Sequence, residues 1–103
     1  MNHIEIKKFT KEKAWSSDLL SDFGEVIAKI HWTDKPYKWH VNDGREVFAV
    51  LEGQVEMKYK KDNVEQSVLL CTGDIVVFEE GDEHVAHPIG PAKILVVEKK
   101  DSV

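Results

Sequence analysis

Apolar and polar residues alternate with a period of two along much of this chain, which is the pattern of strands with one buried face. In residues 54–60, Val55, Met57 and Tyr59 fall on one face, whereas the other face carries charged and amide side chains. Residues 75–78 are apolar throughout, which predicts a strand buried on both faces. The pattern therefore favours β-structure over helix.

Short apolar runs continue from residue 26 to residue 98, separated by Gly, Asp, Asn and Pro, which favour turns. Strands are predicted over residues 26–30, 37–41, 46–51, 54–60, 64–70, 75–78, 84–87 and 92–98. The pair Glu52 and Gly53 predicts a turn, and the prolines of residues 88–91 are expected to interrupt the ladder. Eight or nine strands without room for crossover helices predict an all-β, mainly antiparallel sheet that closes or sandwiches on itself.

The N-terminal region is the one place with helical features. Thr10 is a candidate cap for an amphipathic stretch ending near Leu20, with Gly24 as its end, although Lys13 does not complete a capping box. A short arm fits the same residues equally well. We therefore predict an N-terminal arm or short helix over residues 1–24 and a single β-barrel domain over residues 25–100.

Composition narrows the functional classes. The 103 residues are 42% hydrophobic and 32% charged, which is typical of one globular domain. The net charge of -5 is spread along the chain, so nucleic acid and anionic membranes are poor partners. The first residues lack the apolar core of a signal peptide, and we expect a cytoplasmic protein. Cys71, in an apolar run, is expected to be a buried structural thiol.

Three polar side chains are candidates for a common site: His40, Glu46 and His84. Glu46 shares a strand face with Phe48 and Val50, and a carboxylate facing a barrel interior is costly unless it is paired, protonated or bound to a cation. A metal ion would remove that cost. His87 falls on the opposite strand face from His84, so only one of these two can point inward.

These residues belong to a stretch, from His40 to Pro88, that resembles the two conserved motifs of the cupin superfamily. The first motif is His, any residue, His, three or four residues, Glu, six residues and Gly, and it is matched from His40 to Gly53. The second is Gly, five residues, Pro, any residue, Gly, two residues and His, and it is matched from Gly73 to His84. Two motifs with the right spacing and order form a fairly specific signal.

The sequence departs from the family pattern at four positions. Asn42 stands for the second histidine of the first motif and Glu79 for the proline of the second. Pro88 stands where an asparagine often closes the second motif, and Asp34 replaces the usual glycine before the first. Only three of the four family ligand positions therefore keep their usual residue type.

The resemblance implies a double-stranded β-helix, also called a cupin or jelly-roll barrel. It implies that His40, Glu46 and His84 are metal ligands and that Asn42 occupies the fourth place, with Fe, Ni, Mn or Zn as the divalent ion. It also implies that a small polar organic molecule is bound or transformed in the barrel. The alternative is a non-catalytic small-ligand-binding cupin whose metal site is degenerate or empty, so enzymatic activity stays open.

The sequence leaves the roles of several other side chains open. Asn42 could equally cap the turn formed with Asp43 and Gly44. His3, His31 and His87 are interpreted as surface, tail or supporting residues, although His31 or Tyr59 could take part in proton transfer. The tryptophans are expected in the core or an interface, with a pocket mouth as the alternative; they are Trp15, Trp32 and Trp39. Strands that are apolar on both faces need a cover, either the N-terminal segment or a second subunit, and we expect a homodimer.

Overall fold

The computed structural model describes residues 1–102 and contains a 3₁₀ turn over Ile6–Lys8 followed by seven β-strands. The strands are β1 (Ser16–Asp22), β2 (Val26–Thr33), β3 (His40–Val41), β4 (Glu46–Lys61), β5 (Val64–Leu70), β6 (Ile75–Phe78) and β7 (Glu83–Lys99). All the strand pairs are antiparallel, as the sequence predicts. No helix in the described part of the chain is long and apolar enough to span a membrane.

Two long strands, β4 and β7, pair along their lengths and organise the fold. The first part of β4 and the last part of β7 form one half-sheet with β6, β2 and β1. The rest of β4 and the beginning of β7 form a second half-sheet with β5 and β3. The two half-sheets share one apolar core, which contains Phe48 and Val50 from the first part of β4 and Val55 and Met57 from the second.

The two long strands bend at the two places where the sequence predicted that a strand would end. The predicted turn at Glu52 and Gly53 and the interruption at residues 88–91 are both wrong, because β4 and β7 run through these points with register shifts. Gly53 makes the bend possible with a φ of 100°, and a Cβ there would lie 2.6 Å from the carbonyl oxygen of Pro91. A bulged strand therefore replaces each of two predicted pairs of shorter strands, which reduces the eight listed strands to six, and β1 is the seventh.

Of the arm and the short helix predicted as alternatives for the N-terminal region, the helix is wrong. Ser16–Asp22 forms β1, which pairs with β2 through a hairpin at Phe23 and Gly24. Pairing with β2 supplies cross-strand hydrogen-bond partners to a segment whose helical signals are weak. The residues before β1 form the alternative arm, in which the backbone oxygen of Ile6 accepts a hydrogen bond of 2.6 Å from the Lys93 ammonium.

Three local predictions require correction. In β6, Ile75 and Val77 are 62% and 58% exposed, so this strand buries one face only. Cys71 is exposed, because it follows the last residue of β5 and lies in the turn that leads to β6. The strand predicted over residues 37–41 is reduced to His40–Val41, since the preceding residues follow Pro36 in an irregular segment.

Candidate metal centre

Strand pairing places the two histidines of the candidate site side by side. His40 in β3 is the register partner of His84 at the start of β7, and their ring centroids are 4.2 Å apart. The ring of His84 also stacks on Phe78, with centroids 3.7 Å apart and an angle of 8° between the planes. These contacts fix both imidazoles at one end of the barrel, and His84 is only 2% exposed.

Glu46 begins β4 and completes the group. Its Oε1 lies 3.5 Å from Nε2 of His84, which is an ion-pair distance without hydrogen-bond geometry. One potential ligand atom from each of His40, Glu46 and His84 lies within 4.8 Å of the others. Among residues 1–102, this is the one cluster of three or more histidine, cysteine or acidic side chains with metal-binding spacing.

The polar atoms of this cluster are only partly satisfied within the protein. Nδ1 of His40 is 3.1 Å from the Lys38 carbonyl oxygen, which leaves Nε2 of that ring for another partner. Both ring nitrogens of His84 are buried and have no hydrogen-bond partner within the described residues. Unpartnered buried nitrogens are costly, and two imidazoles with a carboxylate are a donor set that a divalent metal ion accepts. The residues present therefore fit a metal ion.

The charge state of the site also suits a cation. Burial tends to raise the pKa of Glu46, but the contact with His84 and the hydrogen bond from Asn42 outweigh it, so the pKa is lowered. Burial lowers the pKa of His40, which favours its neutral form even though the Lys38 carbonyl acts in the opposite direction. An ionised carboxylate and a neutral imidazole are the forms in which these side chains bind metals.

Asn42 is 5% exposed and directs its amide nitrogen toward the carboxylate. Nδ2 of Asn42 donates a hydrogen bond of 2.8 Å to Oε1 of Glu46, whereas Oδ1 of Asn42 is buried without a partner. Its backbone bonds to the β6–β7 turn, through Asp82 and Gly81, and these bonds hold the residue in place. In this orientation the side chain holds the carboxylate, while its role as a fourth ligand stays a prediction.

The cluster lies on the wall of a cavity of about 270 Å³. Its other lining side chains come from β1, β2, β4 and β7 and from the segments that precede β1 and β3; they are Trp15, Ser17, Lys29, His31, Tyr37, Phe48, Ala86, Val96 and Glu98. The cavity therefore suits a small molecule rather than a polymer.

An aromatic and imidazole group forms one side of this cavity. Trp15 contacts both His31 and Tyr37, with ring centroids 5.6 and 5.1 Å away. Nδ1 of His31 is 3.1 Å from the Trp15 carbonyl oxygen. Burial, assisted by the charge of Lys29, lowers the pKa of His31 to about 4, so this imidazole is neutral near pH 7.

A second charged group faces the cavity from β2 and β7. Nζ of Lys29 lies 3.7 Å from Oε1 of Glu98. Burial raises the pKa of Glu98, with Lys29 opposing that effect. Lys29 and Glu98 were not predicted as site residues, although each is a charged residue at an inward position of a predicted apolar strand, and that signal was available in the sequence.

The other residues considered as pocket or site residues differ in whether they line the cavity. Trp15 packs against the apolar core and also lines the cavity, so the expected core position and the pocket alternative both apply to it. Trp39 is 39% exposed and lies outside the cavity lining. Tyr59 is also outside it, and its hydroxyl donates to Gln66. His87 points away from His84, as expected, and lies opposite Glu56 in the β4–β7 ladder.

Comparison with known proteins places this geometry in a known fold. No protein-family model and no curated protein matches the sequence. A cupin-2 domain containing protein from Shewanella frigidimarina matches with a TM-score of 0.76 and 24% identity over 87% of this chain and 85% of that one. A cupin superfamily protein from Desulfitobacterium hafniense has a TM-score of 0.74 and 14% identity, covering 89% and 84%.

An enzyme structure shares the fold as well. Hydroxypropylphosphonic acid epoxidase from S. wedmorenis has a TM-score of 0.70 and 22% identity over 80% of this chain and 49% of that chain, about half its length. Two structures of a protein named HppE match as well. The Fe(II) form with an alternative substrate has a TM-score of 0.69, and the Co(II) form with substrate has a TM-score of 0.71. The expected cupin fold is therefore confirmed, and a histidine, histidine and glutamate triad lies inside it.

Proposed function

We propose that this protein, which has the cupin fold, holds a divalent metal ion on His40, Glu46 and His84 and binds or transforms a small polar organic molecule beside that ion. The observation that carries the proposal is the convergence of three ligand atoms within 4.8 Å at a site where His84 is buried and His40 and Glu46 are partly buried. The unpartnered nitrogens of His84 support it, because a neutral protein interior rarely leaves both ring nitrogens without a partner.

The surrounding side chains would orient the ligands. The Lys38 carbonyl oxygen, 3.1 Å from Nδ1 of His40, favours a proton on that nitrogen and directs Nε2 toward the ion. Asn42 fixes the carboxylate of Glu46, and Phe78 supports the ring of His84 from one face. When bound, the ion would supply Lewis acidity toward a substrate oxygen or, if it is iron, a site for dioxygen chemistry.

The choice of metal is also part of the proposal. Two imidazoles and one carboxylate suit Fe(II), and the same donors accept Mn, Ni or Zn. The Fe(II) and Co(II) forms of HppE support this choice at the level of the shared fold. Iron and its neighbours among the divalent transition metals are therefore the first ions to test.

Metal analysis of tag-free protein tests the proposal. We expect close to one equivalent of Fe, Mn, Ni or Zn after incubation with each ion. The His84→Gln variant should lose that metal, because it removes a buried ligand, whereas His3→Gln should keep it, since His3 is exposed and outside the cluster. Circular dichroism checks that both variants are folded. Wild-type protein that binds none of these ions would overturn the proposal.

A second candidate function is non-catalytic binding of a small ligand in the same cavity without a resident metal. The orientation of Asn42 favours it, because an amide nitrogen donates a hydrogen bond and cannot ligate a cation. Under this alternative, the His84→Gln variant would differ from the wild type in ligand binding, and the metal content of the wild type and of the variant would both be low.

We also propose a homodimer. Val77 in β6, Val47 in β4 and Val97 in β7 are register partners across the outer face of the first half-sheet. Ile75 and Val77 remain more than half exposed on this face. Exposed apolar side chains on neighbouring strands are suited to burial against a second copy with the same patch.

A further inference from the structure

The cavity contains a cation outside the candidate metal cluster, the ammonium group of Lys29. Lys29 lies on β2, and its side chain is 22% exposed. Its acidic neighbour, Glu98, is 3.7 Å away, which is longer than a hydrogen bond. The ammonium therefore keeps donors for another partner in the cavity.

The pairing of Lys29 with Glu98 does not by itself explain why a lysine faces a cavity. A buried ion pair is usually close and hydrogen-bonded, because the attraction must compensate for lost hydration. Here the two groups are separated, and both line the same space as the metal cluster. An oxyanion placed in that space could receive hydrogen bonds from the ammonium that Glu98 does not accept.

The total charge of the cavity indicates the sign of its ligand. A divalent ion and Lys29 carry three positive charges, against at most two negative charges on Glu46 and Glu98. His31 adds none near neutral pH, because its pKa is about 4. A net positive charge therefore remains in the metal-loaded cavity, whether or not Glu98 is ionised, and an anion would neutralise it.

We propose that Lys29 is a specificity residue that binds the carboxylate of a small organic acid, while a polar group at the other end of the same molecule reaches the metal cluster. This inference rests on the proposed metal site and names the class of ligand bound there. The cavity volume of about 270 Å³ suits a small acid.

The probes are 3-hydroxypropanoate, 4-hydroxybutanoate and 5-hydroxypentanoate, each paired with its amide, which keeps the shape and removes the charge. Calorimetry is done on the 103-residue chain loaded with Zn(II), and the Zn(II) content is measured in every sample. For at least one chain length, we expect the carboxylate to bind about tenfold or more tightly than the amide. By linkage, the factor by which Zn(II) raises the affinity for that carboxylate should equal the factor by which the carboxylate raises the affinity for Zn(II).

Lys29→Met should abolish the preference for carboxylate over amide while Zn(II) content stays near one equivalent. The double variant Lys29→Met/Glu98→Gln should behave in the same way, and it removes the risk that an unpaired Glu98 prevents folding. Lys61→Met is the matched control, because Lys61 is exposed at the end of β4 and should leave the preference unchanged.

The possible results separate the two proposals. Metal-loaded wild type that binds carboxylate and amide equally, or binds neither, overturns the inference and leaves the metal site intact. A preference that survives in both Lys29 variants also overturns it, since the ion alone would then select the anion. Wild type without metal overturns the proposed function and this inference together, and the metal analysis identifies that case directly.

Discussion

At the residue scale, the site depends on how the imidazoles of His31 and His40 and the carboxylates of Glu46 and Glu98 are divided between neutral and charged forms. Glu46 is held ionised by its neighbours, whereas burial raises the pKa of Glu98. Burial keeps His31 and His40 mainly neutral. Similar residue types thus acquire different properties from their surroundings, and the sequence alone assigns them none of these differences.

Asn42 should act through Glu46. The Asn42→Ala variant removes the hydrogen bond to Oε1 of Glu46, and we expect metal affinity to fall by about 10- to 100-fold, as is usual when a residue that orients a ligand is lost. Competition with a chelator measures the change, and His84→Gln serves as the reference for losing a ligand. Equal losses in the two variants would instead favour Asn42 as a ligand itself.

His31 should make stability depend on pH. Its pKa is about 4 in the folded protein and about 6.5 when unfolded, so the unfolded chain binds more protons between these values. Protonation of His31 therefore leaves the free energy of unfolding unchanged above pH 6.5. As the pH falls from 6.5 toward 4, it lowers the free energy of unfolding by about 3 kcal/mol.

Urea unfolding of metal-free protein between pH 4 and pH 7.5 measures this effect. The variant His31→Gln cannot titrate, so its stability should fall less steeply with acid than that of the wild type. His3→Gln, at an exposed position, should follow the wild type. Parallel curves for His31→Gln and wild type would contradict the role given to His31.

At the element scale, the two bent strands β4 and β7 bring the site together. Each passes from one half-sheet to the other, so Glu46 and His84 begin different half-sheets and still meet at the same end of the barrel. β1 extends the first half-sheet, although the division of the chain into an arm and a domain at residue 24 stays a prediction.

Gly53 should be essential to the bend in β4. In Gly53→Ala, the added Cβ meets the Pro91 carbonyl oxygen at 2.6 Å in a backbone with a φ of 100°. Gly73→Ala is the matched control, because Gly73 has a φ of 94° and no heavy atom within 4 Å of an added Cβ. The control should lose about 1 kcal/mol through strain alone, and Gly53→Ala should lose about 2 kcal/mol more.

Urea unfolding of both variants checks the comparison at one pH. Equal losses of unfolding free energy would mean that the chain near Pro91 moves aside without cost. In that case the close approach of β4 and β7 would not be what fixes the bend.

At the scale of the whole molecule, the outer face of the first half-sheet is only partly covered. The N-terminal arm is tied to β7 by the hydrogen bond from Lys93 to Ile6, and its 3₁₀ turn also contacts β4. The exposed positions of β6 remain outside that cover. Of the two alternative covers that the sequence offers for this face, the arm lies against part of it, and the second subunit stays a prediction for the exposed part.

The proposed homodimer gives a direct prediction. Wild-type protein should sediment with twice the mass of the chain at micromolar concentration, and Val77→Lys should sediment as a folded monomer because it places a charge in the apolar patch. Val64→Lys is the matched control, since Val64 and Val77 are both 58% exposed but Val64 lies on β5. A monomeric wild type, or a dimer that tolerates Val77→Lys, would contradict the proposal.

The sequence by itself determined the type of structure and the centre of the site. Strict alternation in residues 54–60 specifies a strand with one wet face, and Val55 and Met57 are indeed buried. The spacing from His40 to His84 indicates the cupin fold, and with it the meeting of His40, Glu46 and His84. These features were predictable because strand period and motif spacing are local properties of the chain.

Only the tertiary structure decided which distant segments are neighbours. Ser16–Asp22 is a strand because β2 offers it an edge, and Glu52 and Gly53 form a bulge because β7 runs alongside. Cys71 is exposed because its apolar run ends in the turn between β5 and β6. Lys29 and Glu98 likewise come within 3.7 Å of each other only because β2 and β7 are neighbours in the sheet. Such contacts join residues far apart in the chain, and their energies do not appear in any local pattern of the sequence.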